Sequence, residues 1–194
     1  MALDALLIDW GGVLTTSMLD SFDAFQRREG PDVRRAFKED PSALVDLETG
    51  RIDIATFERR MAALLDVPHE GLARRLTREV RPDDEMRAAV RDLHDQGVRT
   101  ALVSNSWRED DYDVDDLFDV VVLSGMLGVR KPDLEIYLEA SRRLGVAPGR
   151  CVFVDDLGGN LKPAKALGMT TIRHVDAATT IPQLKRLFLS ARSS

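Results

Sequence analysis

Short apolar runs alternate with helical periodicities along much of this chain. Residues 5–8, 98–103, 120–123, 151–154 and 170–172 are short runs rich in apolar and β-branched residues, the pattern of strands buried on both faces. Four of them end where Ser, Gly or Asp residues cluster, which places a turn at the strand's carboxyl end. Between them lie helical repeats. Residues 84–96 set Met86, Val90 and Leu93 on one face and stop at Gly97. Residues 133–144 turn Leu134, Ile136, Tyr137, Leu138 and Leu144 toward a core and stop at Gly145, and residues 160–167 stop at Gly168. A last helix covers 181–189, with Pro182 in its first turn. Strand and helix in alternation predict an α/β fold, a doubly wound parallel sheet with right-handed crossovers.

Residues 15–81 break that rhythm. They hold no convincing strand, and helices fit 19–28, 31–38, 41–47, 54–65 and 70–80, with Gly50 and Pro68 as punctuation and Thr56 as a cap for the fourth. The predicted organisation is a core of residues 1–14 and 82–194 with a small helical cap domain, 15–81, inserted after the first strand. Internal repeats and low-complexity tracts are absent.

Composition narrows the function classes. The 194 residues carry 27 Lys and Arg against 33 Asp and Glu, a net charge of −6, so a basic nucleic-acid surface is not the expected main function. The single cysteine, Cys151, excludes an internal disulfide framework. Uncharged runs reach ten residues at most, too short for a membrane-spanning helix, and Asp4 and Asp9 interrupt the apolar stretch a signal peptide needs. The expectation is a cytoplasmic protein without nucleic-acid or membrane partners; monomer and homodimer stay open.

In a doubly wound sheet, ligands bind beyond the carboxyl ends of the strands. Those positions hold Asp9-Trp10-Gly11-Gly12, Ser104-Asn105-Ser106-Trp107, Arg130-Lys131-Pro132-Asp133, and Asp155-Asp156 before Gly158, Gly159 and Asn160. A carboxylate such as Asp9 can act as a nucleophile and split one difficult displacement into two. Asp9 and Asp156 offer hard oxygen ligands suited to Mg²⁺, and adjacent Asp155 and Asp156 repel each other unless a cation lies between or beside them. Lys131 supplies a point charge for a transferring group. Ser104 and Asn105 donate to phosphate oxygens, while Gly11 and Gly12 let backbone N–H groups come close.

In order and spacing these motifs resemble the haloacid-dehalogenase-like hydrolase superfamily over nearly the whole chain. Ser-Asn-Ser-Trp, Arg-Lys-Pro-Asp with Ile136-Tyr137, and Val-Asp-Asp-Leu-Gly-Gly-Asn-Leu-Lys-Pro-Ala look most like the N-terminal phosphatase domain of soluble epoxide hydrolases. The resemblance implies a catalytic set of Asp9, Ser104 and Lys131, with Asp9 the nucleophile. It implies substrate binding by Gly12, Ser104, Asn105 and Lys131, and a Mg²⁺ site of Asp9, the Gly11 carbonyl, Asp156 and Asp155. A small phosphorylated substrate follows, selected by the helical insertion. One position departs from the pattern: phosphatases of the superfamily carry a second aspartate two residues after the nucleophile, where this chain has Gly11. That aspartate serves as general acid and base, worth on the order of 10²–10⁴ in rate. Two alternatives therefore stand beside the phosphatase: a 2-haloacid dehalogenase, whose leaving group needs no proton, and a protein that binds phosphorylated ligands or a partner without turnover.

Other features carry less. The acidic run 109–116 lacks the glycine and terminal glutamate of a calcium loop and reads as a solvated face. His69, His94 and His174 are too scattered for a ligand set, and Cys151 reads as an inert core residue. Arg27, Arg34, Arg74 and Arg78 are expected on solvent faces, and Trp10 and Trp107 fit cavity lining and packing equally.

Overall fold

Five parallel strands form the centre of the computed structural model, which describes residues 3–106 and 117–188. Trp107, the acidic run 109–116 and Leu189 lie outside those residues. The strands are β1 (Ala5–Ile8), β2 (Arg99–Ser104), β3 (Val120–Leu123), β4 (Cys151–Asp155) and β5 (Thr170–Arg173), in the order β3-β2-β1-β4-β5. The connections between strands carry α6 (Asp84–Asp95) before β2, α7 (Ser124–Leu127) and α8 (Leu134–Leu144) between β3 and β4, and α9 (Gly158–Ala166) before β5, with α10 (Ala177–Phe188) after β5. The predicted α/β class and parallel sheet are what the chain adopts.

Alternation along the strands divides the core in two. Leu6 and Ile8 of β1 and Val152 and Val154 of β4 pack with Met86, Val90 and Leu93 of α6 and Leu184 and Phe188 of α10. Ala5, Leu7, Cys151 and Phe153 face the other way, onto Ile136, Tyr137, Ala140 and Leu144 of α8 and Ala164 of α9. Period-two side chains buried on both faces account for the unbroken apolar runs of β1 and β4. β1 is the middle strand, in register with β2 (Ile8 opposite Leu102) and β4 (Ile8 opposite Val154). The ends of β1, β2 and β4 therefore lie side by side.

The predicted helical stretch forms α1 (Met18–Glu29), α2 (Val33–Glu39), α3 (Ser42–Glu48), α4 (Ile54–Leu65) and α5 (Leu72–Leu76). These gather around an apolar cluster of their own, including Phe22, Phe25, Leu47, Phe57, Met61 and Leu72. Arg60 ties α4 to the start of α3 through Asp40 and Asp46 at 2.7 and 3.1 Å. The two ends of the insertion meet: Thr15 pairs with Pro82, Thr16 N–H donates to the Arg81 carbonyl at 2.8 Å, and Asp83 N–H donates to the Leu14 carbonyl at 2.9 Å.

Several local expectations are corrected. Asp53, not Thr56, caps α4, its side chain accepting the Thr56 N–H at 2.8 Å. α5 stops at Leu76: the Thr77 N–H and hydroxyl both reach the Ala73 carbonyl, a turn closed by the Val80 N–H on the Thr77 carbonyl follows, and the chain then meets Thr16 at Arg81. α10 starts at Ala177, where Asp176 accepts the Thr179 N–H at 2.7 Å, so Pro182 stands inside the helix and not in its first turn. Leu134 and Leu138, expected toward the core, form an exposed pair on α8, with Ile136, Tyr137 and Leu144 inside. α7 was not foreseen. Arg27, Arg34, Arg74 and Arg78 are exposed, as expected. Among the described residues no helix is long and apolar enough to cross a membrane.

Phe25 is fully buried in the insertion's cluster, with Arg28 and Arg75 over its ring at 5.7 and 6.0 Å. Phe25→Ala is expected to cost about 3–5 kcal/mol, read from urea unfolding. Hydrogen exchange should show the loss concentrated in α1–α5, with the sheet amides less affected.

Candidate active site

The chain leaving β1 turns at once. The Trp10 carbonyl accepts the N–H groups of Val13, Leu14 and Thr15 at 3.2, 2.8 and 3.2 Å. This tight turn requires Gly12 at φ +76°, and a Cβ there would lie 2.6 Å from Asp156 Oδ2, so no other residue fits. Gly11 differs: its φ is ordinary and a Cβ would meet nothing within 4 Å among the described residues. Asp9 is pinned between strands, its N–H donating to the Val154 carbonyl at 3.0 Å and its Oδ1 accepting the Trp10 N–H at 2.7 Å.

Lys131 enters from the loop after β3. Its ammonium is buried, 2.7 Å from Asp9 Oδ1 and 2.8 Å from Asp155 Oδ2. Asp155 is fully buried and heavily engaged: Leu157 N–H donates to Oδ1 at 2.8 Å and Asn160 Nδ2 reaches both oxygens at 3.0 Å. Asn160 is held in turn by Tyr137, whose hydroxyl donates to its carbonyl at 2.7 Å. Asp156 has the opposite character, for its Oδ1 is buried with no hydrogen-bond partner among the described residues. One oxygen from each of Asp9, Asp155 and Asp156 lies within 4.8 Å of the others.

Electrostatics follow from this crowding. Burial pushes the Asp9 carboxyl from 3.8 up to about 7; Asp155 adds to the rise and Lys131 opposes it. Burial disfavours the Lys131 ammonium, but Asp9 and Asp155 outweigh it and hold the group above its ordinary value. Asp156 is raised by burial and by its neighbour Asp155. Three carboxylates around one ammonium leave a site short of positive charge.

A haloacid dehalogenase-like hydrolase family model matches residues 3–168. The chain belongs to that family. Sesquiterpene phosphatase astK of Aspergillus oryzae is 31% identical over 150 residues, 72% of this chain and 76% of that one. Bifunctional epoxide hydrolase 2 of Rattus norvegicus is 34% identical over 112 residues, 53% of this chain but 20% of its own length. Among solved structures, a haloacid dehalogenase family enzyme of Bacteroides thetaiotaomicron, complexed with magnesium and inorganic phosphate, superposes with a TM-score of 0.71 at 22% identity, covering 90% of this chain and 95% of its own.

In this hydrolase, Asp9, Gly12, Lys131, Asp155 and Asp156 converge at one end of the sheet, and Ser104 is the buried last residue of β2 beside them. Asn105 stands differently from expectation. Its Oδ1 accepts the Lys131 N–H at 2.8 Å and its Nδ2 donates to the Lys131 carbonyl at 3.1 Å, so the side chain braces the lysine's backbone. Trp10 packs at the edge of the α6 side of the core, with Arg87 5.6 Å from its ring. His174 bonds Thr180, and burial pushes the Cys151 thiol up to about 11, consistent with an inert core cysteine.

Sequence reading quoted Asn160 at the rim and Tyr137 within a motif but gave neither a role, and it missed Glu48 altogether. Glu48 closes α3, buried, 2.7 Å from Arg130. Burial raises its carboxyl from 4.5 to about 7, although Arg130 and Lys131 both pull the other way. The folded carboxyl thus keeps its proton to higher pH than the unfolded one, and this contribution to stability is present below 4.5 and lost as pH rises to about 7. The stability of wild type relative to Glu48→Gln is therefore expected to decline across that interval and to level off above it. Urea midpoints of both proteins on a pH series check this, and parallel curves would contradict it.

Proposed function

We propose that this hydrolase is a Mg²⁺-dependent phosphatase that transfers the phosphoryl group of a small phosphorylated metabolite first to Asp9 and then to water. One observation carries the reading: Asp9 and Asp155 share one buried ammonium, Asp156 brings a third carboxylate oxygen within 4.8 Å of theirs, and its Oδ1 is buried without a partner among the described residues. A divalent cation supplies the charge that this donor set lacks, and hard oxygen donors suit Mg²⁺. Asp9, Asp156 and the Gly11 carbonyl would hold it. Asp155, whose oxygens are taken by Lys131, Asn160 and the Leu157 N–H, would support the cluster from behind. When bound, the ion offsets the repulsion between Asp9 and an approaching phosphate dianion.

The chain's own groups carry the rest. Lys131 and the Trp10 N–H fix the Asp9 carboxylate, which attacks phosphorus. The bond from phosphorus to the leaving oxygen breaks, its electron pair going to that oxygen, which takes a proton from solvent. Lys131, Ser104, the backbone N–H of Asn105 and the backbone at Gly12 hold the phosphoryl oxygens, while the Asn105 side chain braces the lysine's peptide. Water then attacks the aspartyl-phosphate, releasing phosphate and restoring Asp9. Residues 15–81 would act as the cap domain that selects the substrate over a core of 1–14 and 82–194. The phosphatase name of the Aspergillus relative and the magnesium and phosphate in the Bacteroides structure support this reading.

Gly11 favours a second reading, a phospho-ligand-binding protein with little turnover, because a glycine offers no carboxylate at the position from which the superfamily's second aspartate protonates the leaving group. Dehalogenation fits less well, since it has no use for the unpartnered Asp156 oxygen.

Phosphate release from a panel of phosphomonoesters, including an activated aryl phosphate, tests the proposal. Release should require Mg²⁺, stop on chelation, and fall by on the order of 10³-fold or more in Asp9→Asn. Gly11→Asp, whose Cβ meets nothing within 4 Å, should raise turnover at least about tenfold on esters with poor leaving groups and less on the aryl phosphate. Mg²⁺ and phosphate that raise the melting temperature without any turnover would favour the binding protein.

A further inference from the structure

The helical insertion and the lysine loop are joined by a closed ring of contacts that the proposed chemistry does not use. Glu48, at the end of α3, sends its carboxylate to within 2.7 Å of Arg130, the residue before Lys131. Its backbone carbonyl accepts the hydroxyl of Ser124. That same hydroxyl oxygen accepts the Ser106 N–H at 2.9 Å, and the Gly125 N–H donates to the Ser106 carbonyl at 2.8 Å. Asn105, next to Ser106, clasps the backbone of Lys131 at 2.8 and 3.1 Å. Two paths thus run from Glu48 to Lys131, one through Arg130 and one through Ser124, Ser106 and Asn105. Backbones approach closely here as well, for a Cβ on Gly50, at φ +69°, would lie 2.9 Å from the Gly125 carbonyl oxygen.

Stability alone does not explain a glutamate at this position. The Glu48 side chain is 10% exposed and that of Arg130 26%, so both charges are largely withdrawn from water. The contact lies within ion-pair distance, yet Glu48 Oε2 and Arg130 Nε lack aligned hydrogen-bond partners. A buried pair of this kind contributes little net stability, which directs attention to what it arranges. What it arranges is the peptide that carries Lys131.

We propose that Glu48 is a positioning residue for Lys131, seating the insertion against the Arg130–Lys131 loop so that the ammonium is held between Asp9 and Asp155. The catalytic part rests on the phosphoryl-binding role given to Lys131 above; the ring itself does not.

The test combines p-nitrophenyl phosphate kinetics with amide hydrogen exchange on wild type, Glu48→Ala, Glu48→Gln, Arg130→Ala and the Glu48→Ala/Arg130→Ala double variant, all below their melting temperatures. Glu48→Ala is expected to lower kcat about tenfold while KM moves less than about threefold. Glu48→Gln, which keeps the volume and an acceptor, should recover part of the loss. The double variant should be no worse than the poorer single one, because both act through one contact. Exchange at the Ser106 and Lys131 amides should quicken about tenfold in Glu48→Ala, with the Leu7 and Phe153 amides unchanged.

Unchanged kcat in a folded Glu48→Ala overturns the proposal, whether or not exchange quickens. Lowered kcat with unchanged exchange at Ser106 and Lys131 also overturns it, since the ring would not be the route. If Glu48→Ala does not fold, Glu48→Gln and Arg130→Ala carry the same two readouts. A wild type without Mg²⁺-dependent release overturns the phosphatase reading, and exchange then decides the ring alone.

Discussion

The buried ammonium of Lys131, shared by Asp9 and Asp155, is the contact on which the site depends. Withdrawing a lysine and two carboxylates from water is costly, and the cost is offset when opposite charges meet at hydrogen-bond distance. That requirement joins three stretches of chain far apart in sequence: the end of β1, the loop after β3 and the end of β4. Each is then fixed by backbone contacts of its own. Asp9 is anchored by the Trp10 N–H and the Val154 carbonyl, Asp155 by Asn160 and the Leu157 N–H, and Lys131 by Asn105. Removing the lysine would leave two buried carboxylates facing each other.

The sheet makes this contact possible before any side chain is considered. β1 lies between β2 and β4 in parallel register, so the strands deliver Asp9, Ser104 and Asp155 to one edge. The odd-numbered positions of β1 and β4 face α8, the helix whose Tyr137 braces Asn160 and packs edge-on against Phe153 at 5.1 Å. Core packing and charge placement therefore share residues on that side. The insertion springs from the same edge, its two ends stitched together at Thr15 and Pro82. It approaches the lysine loop at Glu48 and Gly50.

Legibility in the sequence followed from how local each cause is. Strands buried on both faces are apolar nearly throughout, which made β1 and β4 the plainest to read; β2, β3 and β5 showed the same signal over shorter stretches, and the turn residues behind the strands marked the rim. Asp9, Lys131, Asp155 and Asp156 stood out because charges directly after such runs have few structural explanations. Asn105 was read by residue type as a phosphate donor, whereas its amide complements one particular peptide 26 positions away. No local pattern encodes that pairing. Glu48 sat unremarked at a helix end, since only the tertiary fold brings Arg130 to it. The misplacement of Leu134 and Leu138 has a simpler origin: an i,i+4 apolar pair marks one helix face without saying which face is buried.

The adjacent glycines separate geometry from chemistry. Gly12 is obligatory, because its backbone is left-handed and Asp156 occupies the space of a side chain. Gly11 is bound by neither constraint, so its want of a carboxylate is not imposed by the turn. What a carboxylate would change at Gly11 is charge. The cluster already gathers Asp9, Asp155 and Asp156 around one lysine, with Asp9 and Asp156 both raised by burial and by Asp155. A fourth negative group two residues from Asp9 would add to that repulsion wherever no cation offsets it. On the proposed chemistry the chain thus keeps the groups that form and hold an aspartyl-phosphate and leaves out the one that speeds its formation and breakdown. A less strained site in the absence of metal is the physical counterpart of slower acid–base catalysis in its presence.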